Sequence, residues 1–374
     1  MTDSAYPARF DFAVIGAGMA GASLAAQLAP TGARVLLLEA ELVAGYHATG
    51  RSAAFWTESY GGPGVQPLTT ASGPALRGGG YLAPRGALTI ARAGQEDELA
   101  RFAERYEALG VRVERLDREA IAARVPGLRH GWVAGALEPD CCDIDVARLH
   151  QDYLAAASRA GAVLWTGARL AAAQESPSGW ALALADGRSV RADVLVNAAG
   201  AWADRVAALA GQPGIGLQPY RRTVAQLRTS PAPSNGLPLV LDLAEKFYFK
   251  PQSGRLWLSP HDETPSQPCD AAPEDIDVAT AIARLEEVVE WQVERVEHRW
   301  AGLRSFAPDR LPVYGFAGAS PRFFWFAGQG GFGIQTAPAA AALGASLLVP
   351  GGVSPVDPGR YSPCRFGRSL DAIG

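Results

Sequence analysis

The 374-residue sequence predicts an α/β protein whose leading segment is a Rossmann-like dinucleotide-binding unit. Three observations predict it. A glycine motif joins an apolar strand to an alanine-rich helix near the start of the chain. An acidic residue closes the next apolar strand. Two further glycine-marked apolar segments recur far downstream.

Phe12-Ala13-Val14-Ile15 reads as a buried strand bounded directly by glycine. Gly16-Ala17-Gly18-Met19-Ala20-Gly21 follows, and Ala22 to Leu28 reads as a helix. In such a motif Gly16 permits the tight turn, Gly18 lets the backbone approach a pyrophosphate, and Gly21 allows close helix–strand packing. The helix N-terminus offers unpaired N–H groups and a partial positive charge to phosphates. Arg34 to Leu38 supplies the second strand. Glu39 ends it, near the ~20-residue spacing expected for a carboxylate that binds ribose hydroxyls.

The motif alone does not separate FAD from NAD. The loop Gly45 to Ala54 is small, polar and punctuated by glycine, as suits close approach to a second stretch of a long cofactor. Val194 to Trp202 is a further apolar strand ending on glycine. Gly328 to Thr336 is a third cluster, again before an alanine-rich helix, whose N-terminus can face the electron-accepting end of a flavin ring. Three such elements suit a large dinucleotide bound along its whole length.

Composition narrows the function classes. A hydrophobic content of 48% fills real cores, and a net charge of −4 without a basic block gives nucleic acid little reason to bind. Cys141 and Cys142 are adjacent while Cys269 and Cys364 stand alone, so neither a disulfide framework nor zinc spacing is present, and no metal is expected. Reduced thiols and the lack of an apolar run in Met1 to Phe10 predict a cytoplasmic protein without a signal peptide. The apolar stretch Ala337 to Val349 is too short to span a bilayer and reads as a buried helix.

Longer strings carry a family resemblance: Gly45-Tyr46-His47 with Thr49-Gly50-Arg51-Ser52-Ala53-Ala54, Asp143-Ile144-Asp145, and Leu195 to Trp202. Leu217-Gln218-Pro219, Arg221-Arg222, Phe247-Tyr248 with Lys250-Pro251, Trp300 to Phe306, and Gln329 to Thr336 continue it. With these the chain resembles the D-amino acid oxidase superfamily, and within it the bacterial D-arginine dehydrogenases. The resemblance implies a discontinuous FAD-binding domain (1–80, 141–217 and 310–374) and an α+β substrate domain with a large mixed sheet (81–140 and 218–309). It also implies non-covalent FAD, because no cysteine falls in the Gly328–Thr336 cluster. Pro231 to Pro238 and His261 to Pro273 read as surface loops of the substrate domain.

The activity implied is oxidative deamination of a D-amino acid, with hydride passing from Cα to flavin N5 and the imino acid hydrolysing to a 2-oxo acid and ammonia. Electrons would then pass to a quinone or another carrier, or to O2. Arg304 and Arg222 are the candidates to hold the substrate carboxylate, with Arg221 as an alternative to its neighbour. Tyr60 and Tyr248 would bond the carboxylate and exclude water, and Thr57 and the Gly331 backbone would complete the polar ring. The cofactor set is Gly16, Gly18, Gly21, Glu39, Gly50, Arg51, Ser52, Ala53, Ala168 and Gly200. Gly302, Gly330, Gly331, Gly333, Ile334, Gln335 and Thr336 complete it.

Two positions depart from the D-arginine pattern. Ala87 stands where an acid meets the cationic side chain, and Phe55 stands where a histidine lies near the flavin. With Leu239 and Leu241 added on one side of a strand, these residues predict an apolar substrate pocket favouring apolar or aromatic D-amino acids. A glycine or sarcosine-type oxidase, a 2-hydroxy acid dehydrogenase, and a non-catalytic flavin-binding protein are the alternative readings.

Overall fold

The computed structural model describes residues 9–366. Most of the Met1–Phe10 segment, on which the signal-peptide expectation rests, lies outside the described residues.

The strand Arg9–Ile15 is apolar on both faces from Ala13 onward because it sits at the centre of a sheet covered on both sides. It pairs in parallel with Val35–Leu38 on one side and with Ser189–Asn197 on the other. Val163–Trp165 and Ser320–Ala327 extend this parallel core outward. Leu170–Ser176, Gly179–Leu184 and Val313–Ala317 add antiparallel neighbours, making eight strands. The helices Met19–Leu28, Val146–Arg159 and Ala337–Leu348 cover one face, where Leu24, Leu28, Phe324, Phe326 and Leu343 form a shared core.

A second sheet of nine strands is mixed and largely antiparallel. Its longest strands, Gln218–Ser230 and Gln292–Phe306, pair antiparallel along their length, with two bulges. Arg255–Ser259, Tyr248–Gln252, Leu239–Asp242, Ala87–Arg92, Trp132–Glu138 and Glu114–Asp117 follow across the sheet, and Leu239–Asp242 runs parallel to Ala87–Arg92. Period-2 alternation then sorts the side chains. Leu88, Ile90, Val240, Phe249, Ala225 and Leu258 pack outward onto Ile121 and Val125, and onto Val278, Ala281 and Leu285 of the helix Asp275–Glu286. The opposite face carries Glu138, Ala87, Leu239, Leu241, Tyr248, Lys250, Trp257, Arg222 and Arg304, as the cross-strand registers require.

A three-stranded sheet (Phe55–Trp56, Cys142–Ile144 and Leu82–Pro84) lies near both large sheets. Its Asp143 is gripped by Lys250 Nζ at 2.6 Å and by Arg85 at 2.7 Å. The eight-stranded sheet draws its strands from residues 9–38, 163–197 and 313–327, and the nine-stranded sheet from 87–138 and 218–306.

The segment from His261 corrects one expectation. Most of it is exposed, as a surface loop should be, but it contains the short strand Thr264–Pro265, paired with Tyr220 and Arg221, and its first residue is half-buried, with its ring against Tyr248. Among the described residues no helix is long and apolar enough to cross a membrane.

Candidate active site

A cavity of about 480 Å³ runs from the glycine motif to the polar face of the nine-stranded sheet. At its first end Gly16 has φ +100°, and a Cβ there would lie 2.6 Å from Ala198 O. A Cβ on Gly21 would lie 1.9 Å from Gly16 O, so only glycine lets the helix Met19–Leu28 start this close to the strand. A Cβ on Gly18 would lie 3.2 Å from Thr49 Oγ1, a tight contact with a side chain that can shift, not with backbone. The first amide to bond back within this turn is Ala22 N–H, to Gly18 O. The amides of the first turn before it lack an intrahelical partner, as an anion-binding helix start requires. Glu39 is nearly buried at the end of its strand; its Oε2 accepts from Ala17 N–H at 2.8 Å and its Oε1 from Glu41 N–H at 3.0 Å. Each oxygen keeps a lone pair for a hydroxyl in the cavity.

Of the expected cofactor set, Gly16, Gly18, Glu39, Arg51, Ser52, Ala53 and Ala168 line this cavity. So do Gly200, Gly302, Gly330, Gly331, Gly333 and Ile334. These residues fit a bound dinucleotide: a glycine turn open to phosphate, a ribose-facing carboxylate, and glycines at the far end that leave room for a flat ring. Four members are placed differently. Gly21 acts through helix packing, and Gly50 donates its N–H to Gly45 O at 2.8 Å within its own loop. Thr336 Oγ1 donates to Phe332 O at 2.9 Å and is fully buried. Gln335 bonds the loop of residues 57–60 instead: its Oε1 accepts from Thr57 N–H and its Nε2 donates to Tyr60 O at 3.1 Å. Arg51 lines the cavity, but its guanidinium donates to Ala271 O and Ala301 O and pairs with Asp270. Cys269 also lines the wall.

At the other end Arg222, Tyr248 and Arg304 project from three strands of the nine-stranded sheet into one corner. Arg222 is 4% exposed; its Nε donates to Asp262 O at 2.7 Å and its Nη2 to Glu263 Oε1 at 3.3 Å, while its Nη1 is buried with no partner among the described residues. The Tyr248 hydroxyl is buried without a partner too. Arg304 Nη1 donates to the Tyr60 hydroxyl. A Cβ on Gly331 would lie 2.8 Å from Arg304 Nη1 and 3.1 Å from that hydroxyl, so the glycine makes room for both. Arg222 and Arg221 are resolved by strand alternation. Arg221 points the other way and pairs with Glu274 and with Asp277 at 2.9 Å. Burial, then the neighbouring Arg304, lowers the Arg222 pKa, yet a guanidinium stays charged throughout the accessible pH range. Two buried orphan donors beside two cations make a receptor for an anion with paired oxygens.

Sequence reasoning missed two residues here. His261 lies with its ring 5.9 Å from that of Tyr248 and 6.4 Å from that of Tyr60. Its backbone is left-handed, at φ +53°, as is that of Glu245 (φ +57°), whose carbonyl contacts His261 Nδ1 at 2.5 Å. That bond fixes Nδ1 as the protonated nitrogen and leaves Nε2 an acceptor. Burial, then the charges of Arg222 and Arg304, push its pKa down to about 2, so the ring is neutral. Glu138 is the second. Its carboxylate, opposite Ala87 in the sheet, accepts from Thr57 Oγ1 at 2.9 Å, from Ser59 N–H at 3.2 Å and from the Ser59 hydroxyl. Burial raises its pKa against those bonds. The only hint of it in sequence is a glutamate ending the apolar run Trp132 to Leu137.

Two expectations need correction. Thr57 is 1% exposed and its hydroxyl serves Glu138, so it positions the Tyr60 loop and does not face the cavity. The apolar side-chain pocket is closed. Phe55, Ala87 and Leu239 are at most 7% exposed, and with Leu241 they lie outside the cavity wall, packed behind Tyr60 and behind Tyr248, which lines it. Phe55 occupies the space that Ala87 and the leucines were expected to leave, so the predicted preference for apolar or aromatic side chains loses its basis.

Comparison with known proteins places this arrangement. Residues 11–347 match the family model described as FAD dependent oxidoreductase (DAO). Among curated relatives, the hydrogen cyanide synthase subunit HcnC of Pseudomonas aeruginosa is 28% identical over 229 residues. The FAD-dependent oxidoreductase domain-containing protein 1 of Xenopus laevis is 25% identical over 197 residues. These matches take in 59% and 48% of the chain, and only 53% and 40% of the two relatives' own lengths. The crystal structure of glycine oxidase from Geobacillus kaustophilus superposes with TM-score 0.83 at 25% identity, over 96% of this chain and 99% of that one. L-proline dehydrogenase from P. horikoshii superposes with TM-score 0.85 at 20% identity, over 97% and 99%, a likeness of fold alone. A glycine turn, a ribose-facing acid and a family match over nearly the whole chain agree: this protein belongs to the DAO family of FAD-dependent oxidoreductases.

Proposed function

We propose that the chain oxidises an amino acid at its CH–N bond, binding the substrate carboxylate at Arg222, Arg304 and Tyr248. The observation that carries this reading is the pair of buried, unpartnered donors, Arg222 Nη1 and the Tyr248 hydroxyl, beside the Arg304 guanidinium. A carboxylate would satisfy both and form charge-assisted bonds. When bound in the cavity, FAD would supply the two-electron acceptor for a hydride from Cα. The chain's part is to hold Cα in place and exclude water with the Tyr60 and Tyr248 rings. Hydride leaves Cα only when the amine is neutral, and the unprotonated Nε2 of a neutral His261 is an acceptor for an amine N–H. The imino acid then hydrolyses in water to a 2-oxo acid and ammonia.

The resemblance to D-arginine dehydrogenases supports D-configuration at Cα, non-covalent FAD, and a quinone or similar carrier as electron acceptor. We assign cofactor binding to residues 1–80, 141–217 and 310–374, and substrate binding to 81–140 and 218–309. The test is anaerobic bleaching of the flavin absorbance by single D- and L-amino acids, with ammonia measured after turnover. Bleaching by D-enantiomers with stoichiometric ammonia is the expected result. Bleaching by 2-hydroxy acids alone, without ammonia, would overturn it. Flavin remaining with the protein pellet after acid precipitation would overturn non-covalent attachment and point to Cys269 in the cavity wall.

A further inference from the structure

We propose that Phe55 blocks the side-chain end of the substrate site, limiting the substrate to amino acids with hydrogen or methyl on Cα, such as glycine and D-alanine. This rests on the reading of the Arg222–Arg304 corner as a carboxylate site.

The Phe55 ring meets Tyr60 edge-on at 5.1 Å and Tyr248 at 5.9 Å. Both tyrosines belong to the carboxylate corner, Tyr248 by its unpartnered hydroxyl and Tyr60 through Arg304. A carboxylate seated there has its Cα one bond away and its side-chain atoms two. Both tyrosine rings pack on Phe55, so a side chain directed between them meets its ring. Behind it Ala87 is 1% exposed and Leu239 0%, so the ring leaves no gap for a substrate side chain.

The wedge is anchored. Phe55 pairs with Asp143 across the short sheet, and Trp56 with Cys142. Asp143 is held to the nine-stranded sheet by Lys250 and Arg85. Trp56 Nε1 donates to Thr69 O at 2.9 Å, with the indole 2% exposed. The backbone therefore cannot slide to make room. A bulky side chain would have to rotate the Phe55 ring into two packed tyrosines, which close-packed interiors resist.

The test uses the wild-type holoenzyme and the variants Phe55→Ala and Phe55→Leu, titrated with simple carboxylates that perturb the flavin spectrum without turnover. Propionate is expected to bind wild type at least tenfold more tightly than 3-phenylpropionate, against the usual gain from added apolar surface. The Phe55→Ala variant is expected to reverse that order, with Phe55→Leu between. In turnover, kcat/KM for D-phenylalanine should rise at least tenfold in Phe55→Ala while that for glycine falls. Equal or tighter binding of 3-phenylpropionate to wild type would overturn the wedge and leave the carboxylate site standing, and needs no variant to fold. If no carboxylate perturbs the flavin and no amino acid bleaches it, the carboxylate reading fails and this inference with it.

Discussion

Arg222 and Arg221 are adjacent, carry the same charge, and face opposite sides of one sheet. Their substitution should therefore separate binding from background. Arg222→Met is expected to lower kcat/KM by roughly 10- to 150-fold, the equivalent of ~1.5–3 kcal/mol for a lost charge-assisted bond. Arg221→Gln should leave KM within about twofold, because its partners Glu274 and Asp277 lie on the outer face. Steady-state kinetics on both variants, with flavin content as a control, checks the contrast. His261 makes a second prediction at this scale, read in stability. Its folded pKa is lowered from 6.5 to about 2, so between those values the unfolded chain binds a proton that the folded chain refuses. Its neutral state costs nothing above pH ~6.5, and stability falls as pH drops below that. The urea midpoint of His261→Gln should fall less between pH 7.5 and 5 than that of wild type. An identical slope in the two proteins would contradict it.

At the scale of elements, the glycine turn and the helix behind it have separable jobs. Gly18→Ala adds a Cβ whose nearest neighbour is a side-chain oxygen at 3.2 Å, so the fold should survive while the phosphate loses its approach. Gly21→Ala drives a Cβ to 1.9 Å from backbone, so the helix must move off the strand. Far-UV circular dichroism and Tm should change little in the first and markedly in the second, with the 450 nm to 280 nm absorbance ratio reduced in both. This element was legible in sequence because its parts are local: an apolar run, three glycines and an acid within about thirty residues. The polar face of the nine-stranded sheet was legible only through family strings. Its neighbours come from strands far apart in sequence: Leu239 pairs with Ala87, 239 − 87 = 152 residues away, and Ala87 with Glu138. A Pro- and Ser-rich segment such as His261 to Pro273 looks solvated in sequence, and nothing local reveals that its first ring is folded inward.

For the whole molecule, the cavity draws one wall from each large sheet, so neither can form it alone. Asp143 ties the short sheet to the larger one, and the Thr57–Tyr60 loop is held by Glu138 from one sheet and by Gln335 beside the helix Ala337–Leu348. The misjudged side-chain pocket belongs at this scale. Each residue of Phe55, Ala87, Leu239 and Leu241 was correctly seen as apolar, but apolar lining and apolar filling have the same composition. Only packing in three dimensions distinguishes an open pocket from a plugged one.

Arg51 closes the cofactor cavity in a way that bears on time rather than affinity. Its side chain reaches across to Asp270, Ala271 and Ala301, and its own carbonyl accepts from Trp300 Nε1 at 2.9 Å. Arg51 and Ala271 both line the cavity, so this clasp ties two parts of its wall together. Flavin release would then wait on the clasp opening, and residence time would depend on an ion pair that touches neither phosphate nor ring. Asp270→Asn is expected to speed FAD loss to an apoflavoprotein trap several-fold while leaving kcat unchanged, and added salt should speed it in wild type more than in the variant.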